Sequence, residues 1–202
     1  MFELIQAGGW ILLPIGLCSL IALAVFLERL WHLRRHRVLP KAFVQRIESL
    51  IRERKHHDAE VLCSEYPLPA ARIYATGLKH AHLERSQLRE PVEEVGRQEA
   101  QRLERHIELI GTCAAISPLL GLLGTIVGMM AVFRDVEIAG LGDPSQFANG
   151  IWQALITTAV GLAVAIPSFV FYKLLLGKVD SLILELEEMS SRLIDLLVET
   201  KS

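Results

Sequence analysis

Three stretches of the chain contain no Asp, Glu, Lys or Arg: Leu4 to Leu27, Leu109 to Phe133 and Pro144 to Tyr172. At about 1.5 Å of rise per residue, each is long enough to cross the ~30 Å hydrocarbon core of a bilayer with room for tilt. A core helix of a soluble bundle can be apolar all round, but charge-free runs of this length predict transmembrane helices. The expected fold is therefore all-α, a polytopic membrane protein with three spans, the second and third extended into a cytoplasmic helical domain. The pattern sets boundaries at 1–8 for an outer N-terminus and at 9–28, 107–133 and 148–172 for the spans. It assigns 29–106 to the cytoplasmic helical domain, 134–147 to an outer loop and 173–202 to a cytoplasmic C-terminal helix.

Between the first two spans the pattern becomes amphipathic. Leu39, Phe43, Ile47 and Leu50 recur at three and four residues, the spacing of one helical face, and Pro67 with Pro69 breaks the chain before a second helical stretch from about Ala70 to Leu83. Pro91 at a first-turn position, followed by Glu93 and Glu94, predicts a helix start. With no breaker before Pro118, that helix is expected to run unbroken into the second span, about 40 residues or roughly 60 Å. After the third span, Leu182, Leu186, Met189, Leu193 and Leu196 form a heptad-like seam. Two readings of it stay open: packing on a neighbouring helix of the same chain, or self-association.

Composition supports the membrane reading: 51% of the 202 residues are hydrophobic and the mean hydropathy is +0.36, too apolar for an ordinary soluble fold. The net charge of −2 says less than its distribution, because 16 of the 21 Lys and Arg fall within 28–106. Arg29, Arg34, Arg35 and Arg37 directly follow the first span, which places that flank in the cytoplasm, the N-terminus outside and the C-terminus inside. The same cluster reads as a topology signal beside the bilayer rather than a nucleic-acid surface, since acidic residues interleave through the rest. Glu3 and the lack of a basic leading region make the first block a span rather than a cleaved signal peptide. Of the three cysteines, Cys18 and Cys113 lie in spans and Cys63 between them, so no disulfide framework is implied.

Catalytic motifs are missing, and no enzyme activity or cofactor is expected. Gly121, Gly124 and Gly128 lie mid-span, without the strand and lysine of a phosphate loop. They read as packing residues: Gly124 and Gly128 form GxxxG, and Thr157, Gly161 and Ala165 repeat the small-xxx-small spacing in the third span. Pro118 and Pro167 belong to the same packing set. His56 with His57, and His80 with His82, lack the Cys or carboxylate neighbours of a metal site, and none is expected. The first span, rich in Leu, Ile, Val and Phe, is bulkier and expected to face lipid.

Polar residues inside the spans are more informative. Thr112, Ser117 and Thr125 lie in the second span, and Asn149, Gln153, Thr157, Thr158 and Ser168 in the third. Any one hydroxyl can bond back to its own helix. Together with two small-residue stripes they predict a narrow hydroxyl-lined passage, with Thr125 and Thr158 its preferred lining and Gln153 and Thr157 beside them. An ionisable group within a span costs about 2.5 to 3.5 kcal/mol or more and is kept where function needs it. These spans contain none. If the passage carries protons, a partner must insert the carboxylate.

Two segments carry a family resemblance. Ile116-Ser-Pro-Leu-Leu-Gly-Leu-Leu-Gly-Thr-Ile-Val-Gly-Met-Met130 and Gly150-Ile-Trp-Gln-Ala-Leu-Ile-Thr-Thr-Ala-Val-Gly-Leu-Ala-Val-Ala-Ile-Pro167 resemble the second-span and third-span signatures of the ExbB/TolQ/MotA proton channel family, most of all its ExbB members. The resemblance implies a homo-oligomer, commonly a pentamer, in the bacterial inner membrane, with the N-terminus in the periplasm. Its pore encloses the single span of an ExbD-like or TolR-like partner bearing a membrane aspartate. Proton flow there drives a TonB-like periplasmic transducer and so outer-membrane import. The resemblance places threonines at the positions of Thr125 and Thr158 in the pore wall. It also places a glutamate where this chain has Gln153, which cannot titrate. The alternatives are a TolQ-like subunit of the Tol-Pal envelope system and a membrane scaffold that does not conduct.

Overall fold

The computed structural model describes residues 9–139 and 144–201, and side chains outside 138–147. The expected outer N-terminus at 1–8, and residues 140–143 of the expected 134–147 loop, lie outside the described residues. Among the described residues the structure is helical, without strands. A 3-10 turn at Gly9–Ile11 leads into α1 (Leu12–His32), followed by α2 (Arg35–Val38), α3 (Lys41–Arg52), α4 (His56–Glu65) and α5 (Pro69–Lys79). Then come α6 (Arg85–Glu104), α7 (Ile107–Ala139) and α8 (Pro144–Glu199). Three helices, α1, α7 and α8, are long and apolar enough to cross a membrane.

The chain divides into two compact units. One comprises the chain up to Glu28 and His106–Leu175, the other Arg29–Arg105 and Leu176–Ser202. Helix α8 contributes to both.

The first unit has the surface of a membrane body. Leu13, Leu17, Leu20 and Leu23 of α1 are exposed, while Ile11, Ile15 and Ala22 on its opposite face are buried. Steps of four and seven put those three on one helical face. Phe26 ends the same face and stacks on Phe171 of α8, with ring centroids 4.0 Å apart.

In the second unit the predicted amphipathic face of α3 turns inward: Leu39, Phe43, Ile47 and Leu50 are all buried. Ile51, Ile73 and Tyr74 complete the core, and the Tyr74 hydroxyl donates to Glu48 Oε1 at 3.2 Å. Burial, and the nearby Glu48 carboxylate, raise the Tyr74 phenol well above its ordinary pKa. Pro69 opens α5 at its first turn, where a missing N–H costs nothing. The seam Leu182, Leu186, Met189, Leu193 and Leu196 is buried within the chain itself. Gly77 of α5 lets it close, since a β-carbon there would lie 2.8 Å from Leu193 Cδ2 and 3.3 Å from Leu197 Cδ1. Of the two open readings, packing on the chain's own helices is the one observed. Glu99 of α6, 2% exposed, is held by Arg72 at 2.8 and 2.9 Å and by Arg102 at 2.5 Å.

Two expectations need correction. The helix expected to start at Pro91 starts at Arg85, with Gln87 and Leu88 amides donating to the Glu84 carbonyl at 3.0 and 2.8 Å. Pro91 is interior, and the carbonyl it leaves without a donor belongs to Gln87, an exposed residue that water can reach. Nor does the helix run on into the second span. Arg105 is extended at ψ 137°, and His106 is left-handed at φ 70°. These two conformations break the i→i−4 ladder between α6 and α7 without Gly or Pro.

Candidate functional site: the small-residue face of α7 and α8

Within the first unit, α7 and α8 pack antiparallel, and the register is set by residues with almost no side chain. A β-carbon added to Gly161 would lie 2.6 Å from the Ser117 carbonyl oxygen and 3.1 Å from Gly121 Cα. One on Gly121 would meet the Thr157 carbonyl oxygen at 2.9 Å and Thr158 Cα at 3.0 Å. Gly124 abuts the Thr157 side chain, Gly128 abuts Ala154, and Gly150 abuts Val132. At the far end Gly111 lies under the Tyr172 ring. Ala165 is buried on the same stripe of α8, while Pro118 is half-buried and Pro167 exposed. Lipid chains are as apolar as leucine, so close backbone approach and interhelical hydrogen bonds take over the role that hydrophobic burial plays in water.

Those hydrogen bonds converge on one atom. The Gly121 carbonyl accepts the Thr158 hydroxyl at 3.0 Å and the Thr157 hydroxyl at 3.2 Å. Thr157 shares its one hydroxyl proton with the nearer Ala154 carbonyl, at 2.7 Å, and is buried in the contact. Thr125 donates to the Leu122 carbonyl at 2.7 Å and is half-buried. Ser117 and Ser168 bond back to the Cys113 and Val164 carbonyls, each at 2.7 Å.

Helical geometry separates the four predicted lining residues. At about 100° per residue, Thr125 is offset roughly 60° from the α7 stripe of Gly121, Gly124 and Gly128. Thr158 is offset from the α8 stripe of Ala154, Thr157 and Gly161 by a similar angle in the same sense. In an antiparallel pair that shared sense brings both hydroxyls to the same side. Gln153 precedes Thr158 by five residues, about 140° around the helix, so it emerges on the opposite flank. It is exposed, as is the adjacent Trp152. Thr157 lies between the two helices. The structure therefore groups Thr125 with Thr158, makes Thr157 part of the helix contact, and sets Gln153 apart.

The arrangement offers hydroxyls and backbone carbonyls, and no formal charge between Leu109 and Phe133 or between Pro144 and Tyr172. Such groups can relay a hydrogen bond but cannot hold a proton at neutral pH. No cluster of metal-ligating side chains occurs among the described residues. Two features escaped the sequence reading: the double acceptor role of Gly121, and the matching of Gly150 to Val132 and Gly111 to Tyr172. Their glycines were visible, but which bulky partner each one admits depends on the register between the helices.

Known proteins share this region. The profile of the MotA/TolQ/ExbB proton channel family matches residues 66–188, which include the described α7–α8 contact. The ExbB-like 1 protein of Synechocystis sp. is 32% identical over 178 residues, covering 84% of this chain and 68% of that protein. Biopolymer transport protein exbB1 of Vibrio cholerae serotype O1 is 27% identical over 190 residues, covering 92% of this chain and 83% of that protein. Tol-Pal system protein TolQ of Haemophilus influenzae is 37% identical, but over 84 residues, 42% of this chain and 37% of that protein. With a family profile over more than half its length and relatives aligned along nearly all of it, the chain belongs to the MotA/TolQ/ExbB proton channel family.

Proposed function

We propose that this chain is the channel-forming subunit of an ExbB-like biopolymer transport motor, in which the Thr125–Thr158 flank of the α7–α8 pair lines a proton path. The observation that carries this reading is a close-packed, charge-free pair of apolar helices with two hydroxyls on one side. The whole-chain likeness is to biopolymer transport proteins, whereas the TolQ likeness covers less than half the chain, so the ExbB-like reading is favoured over the TolQ-like one.

The relay then needs a titratable group from outside the chain. A single-span ExbD-like or TolR-like partner with a membrane aspartate supplies it, and a ring of copies, a pentamer in this reading, gives that span an enclosed wall. The bilayer is a bacterial inner membrane, with the basic 29–106 segment and the C-terminal helix in the cytoplasm. A TonB-like transducer takes up the motion. Gln153, an amide on the opposite flank, serves in this account as a hydrogen-bonding residue toward a neighbour and carries no proton.

The test is proton uptake by proteoliposomes holding the chain alone or co-purified with its single-span partner, with the complex weighed by native mass spectrometry. Flux that appears only with the partner supports the channel reading. A stable complex without partner-dependent flux would establish the scaffold instead.

A further inference from the structure

From Arg29 to Arg46, directly after the first charge-free stretch, the chain carries six Lys and Arg and no Asp or Glu. The turn that displays the first of them is pinned from beneath: the Leu33 amide donates to the Arg29 carbonyl at 2.8 Å, Arg34 is extended at ψ 128°, and Leu33, Val38 and Leu39 are buried. This leaves Arg34 exposed and folds Arg37 back, so that its guanidinium lies 3.7 Å from the centroid of the Trp31 ring. Arg35 is taken by Glu185 at 2.8 Å, whereas neither Arg34 nor Arg37 forms an ion pair among the described residues. Stacking uses the face of a guanidinium and leaves its N–H donors in the plane, where their fork matches a phosphate. Beside this cationic pair, the last turns of α1 expose Leu30 and Trp31.

We propose that Arg34 and the Trp31-stacked Arg37 form a headgroup site for an anionic phospholipid in the leaflet at this end of α1. The phosphodiester accepts from both guanidinium groups, and the glycerol and upper acyl chains lie along Trp31 and Leu30. The reading rests on α1 crossing the bilayer and is independent of the proton path. Depth favours lipid over free phosphate: Trp31 lies three residues, about 4.5 Å, past Glu28, the first charge after the apolar stretch, and the headgroup layer is roughly 5 to 7 Å thick on each side. An indole at that level has its ring against lipid and its N–H in the wet layer. Two arginines without carboxylate partners favour an anionic headgroup over a zwitterionic one, whose ammonium they repel.

The experiment uses the full chain with Trp10→Phe and Trp152→Phe, which leaves Trp31 the only one of three tryptophans. It is reconstituted in phosphatidylcholine vesicles containing a minor fraction of either phosphatidylglycerol or phosphatidylcholine brominated high on the acyl chains, and Trp31 quenching gives the relative association of the two lipids at this site. Phosphatidylglycerol should be preferred on the order of tenfold, and Arg34→Gln and Arg37→Gln should each reduce the preference about fivefold. Arg37→Lys, which keeps the charge and loses the planar fork, should reduce it about two- to threefold, and Arg52→Gln on exposed α3 should leave it unchanged. Equal quenching by the two lipids, or none by either, would overturn the proposal without any arginine variant. So would a preference that survives Arg37→Gln or falls with Arg52→Gln. Full preference in Arg37→Lys would overturn the stacked clamp, and its loss to inorganic phosphate, but not to chloride of equal ionic strength, would overturn the choice of lipid over free phosphate.

Discussion

Replacing Gly161 by alanine adds one methyl group where the α7 backbone stands. The new carbon would lie 2.6 Å from the Ser117 carbonyl oxygen and 3.1 Å from Gly121 Cα, and neither atom can swing aside as the end of a side chain can. Ordinary contact needs roughly 0.7 Å more, so the helices must separate by about that distance. Overpacking of this kind costs about 1 to 3 kcal/mol. Separation also stretches the Thr158 and Thr157 hydrogen bonds to Gly121, now 3.0 and 3.2 Å. Interhelical bonds in membranes average about 0.6 kcal/mol, so the total loss is about 2 to 4 kcal/mol. Gly16 is the control, because nothing lies within 4 Å of a β-carbon there and alanine is the better helix former. The assay is reversible unfolding of the purified protein in mixed detergent micelles, followed by far-UV circular dichroism. Gly161→Ala should lower the midpoint clearly and Gly16→Ala should hold or raise it. Equal midpoints for the two variants would refute the claim that backbone contact at Gly161 holds α7 to α8.

In the second unit, Glu99→Ala leaves Arg72 and Arg102 without their shared carboxylate; since both guanidinium groups are about half exposed, the expected loss is about 2 to 3 kcal/mol, read as a lower thermal midpoint. Arg54 ends α3 in the left-handed region at φ 58°, and the Lys55 amide donates to the Leu50 carbonyl at 2.9 Å as in a Schellman cap, so Arg54→Gly should stabilise by about 0.5 to 1 kcal/mol. With its thiol pushed up to about 12, Cys63 in the native protein at pH 8 should react with iodoacetamide at least about a hundredfold more slowly than an unperturbed thiol, and as fast as one after unfolding. Matching native and unfolded rates would contradict its burial.

The spans were legible because charge is costly in hydrocarbon, so its absence from Leu109 to Phe133 could not be accidental. The amphipathic face of α3 was legible from its spacing alone. The interruption at Arg105 and His106 was not, because neither residue is a breaker by type, yet His106 takes the left-handed region that few residues other than glycine enter. The hydroxyl-bearing positions were legible as a set, but their separation was not. Thr157 and Thr158 are adjacent in sequence and chemically identical. Only the α7–α8 register decides that Thr157 fills the contact with Gly124 while Thr158 sits at its edge beside Thr125. For Gln153 the chemistry was legible from the residue type, and helical phase decided the flank.

The most direct test of the central claim is proton uptake by proteoliposomes containing the complex of this chain with the single-span partner proposed above, comparing the wild type with Thr125→Val and Thr158→Val. Valine keeps the shape of threonine and removes the hydroxyl. The account predicts that complexes of unchanged mass lose flux on the order of tenfold for each substitution, the equivalent of one hydrogen bond in the path. Full flux in the double variant would contradict it.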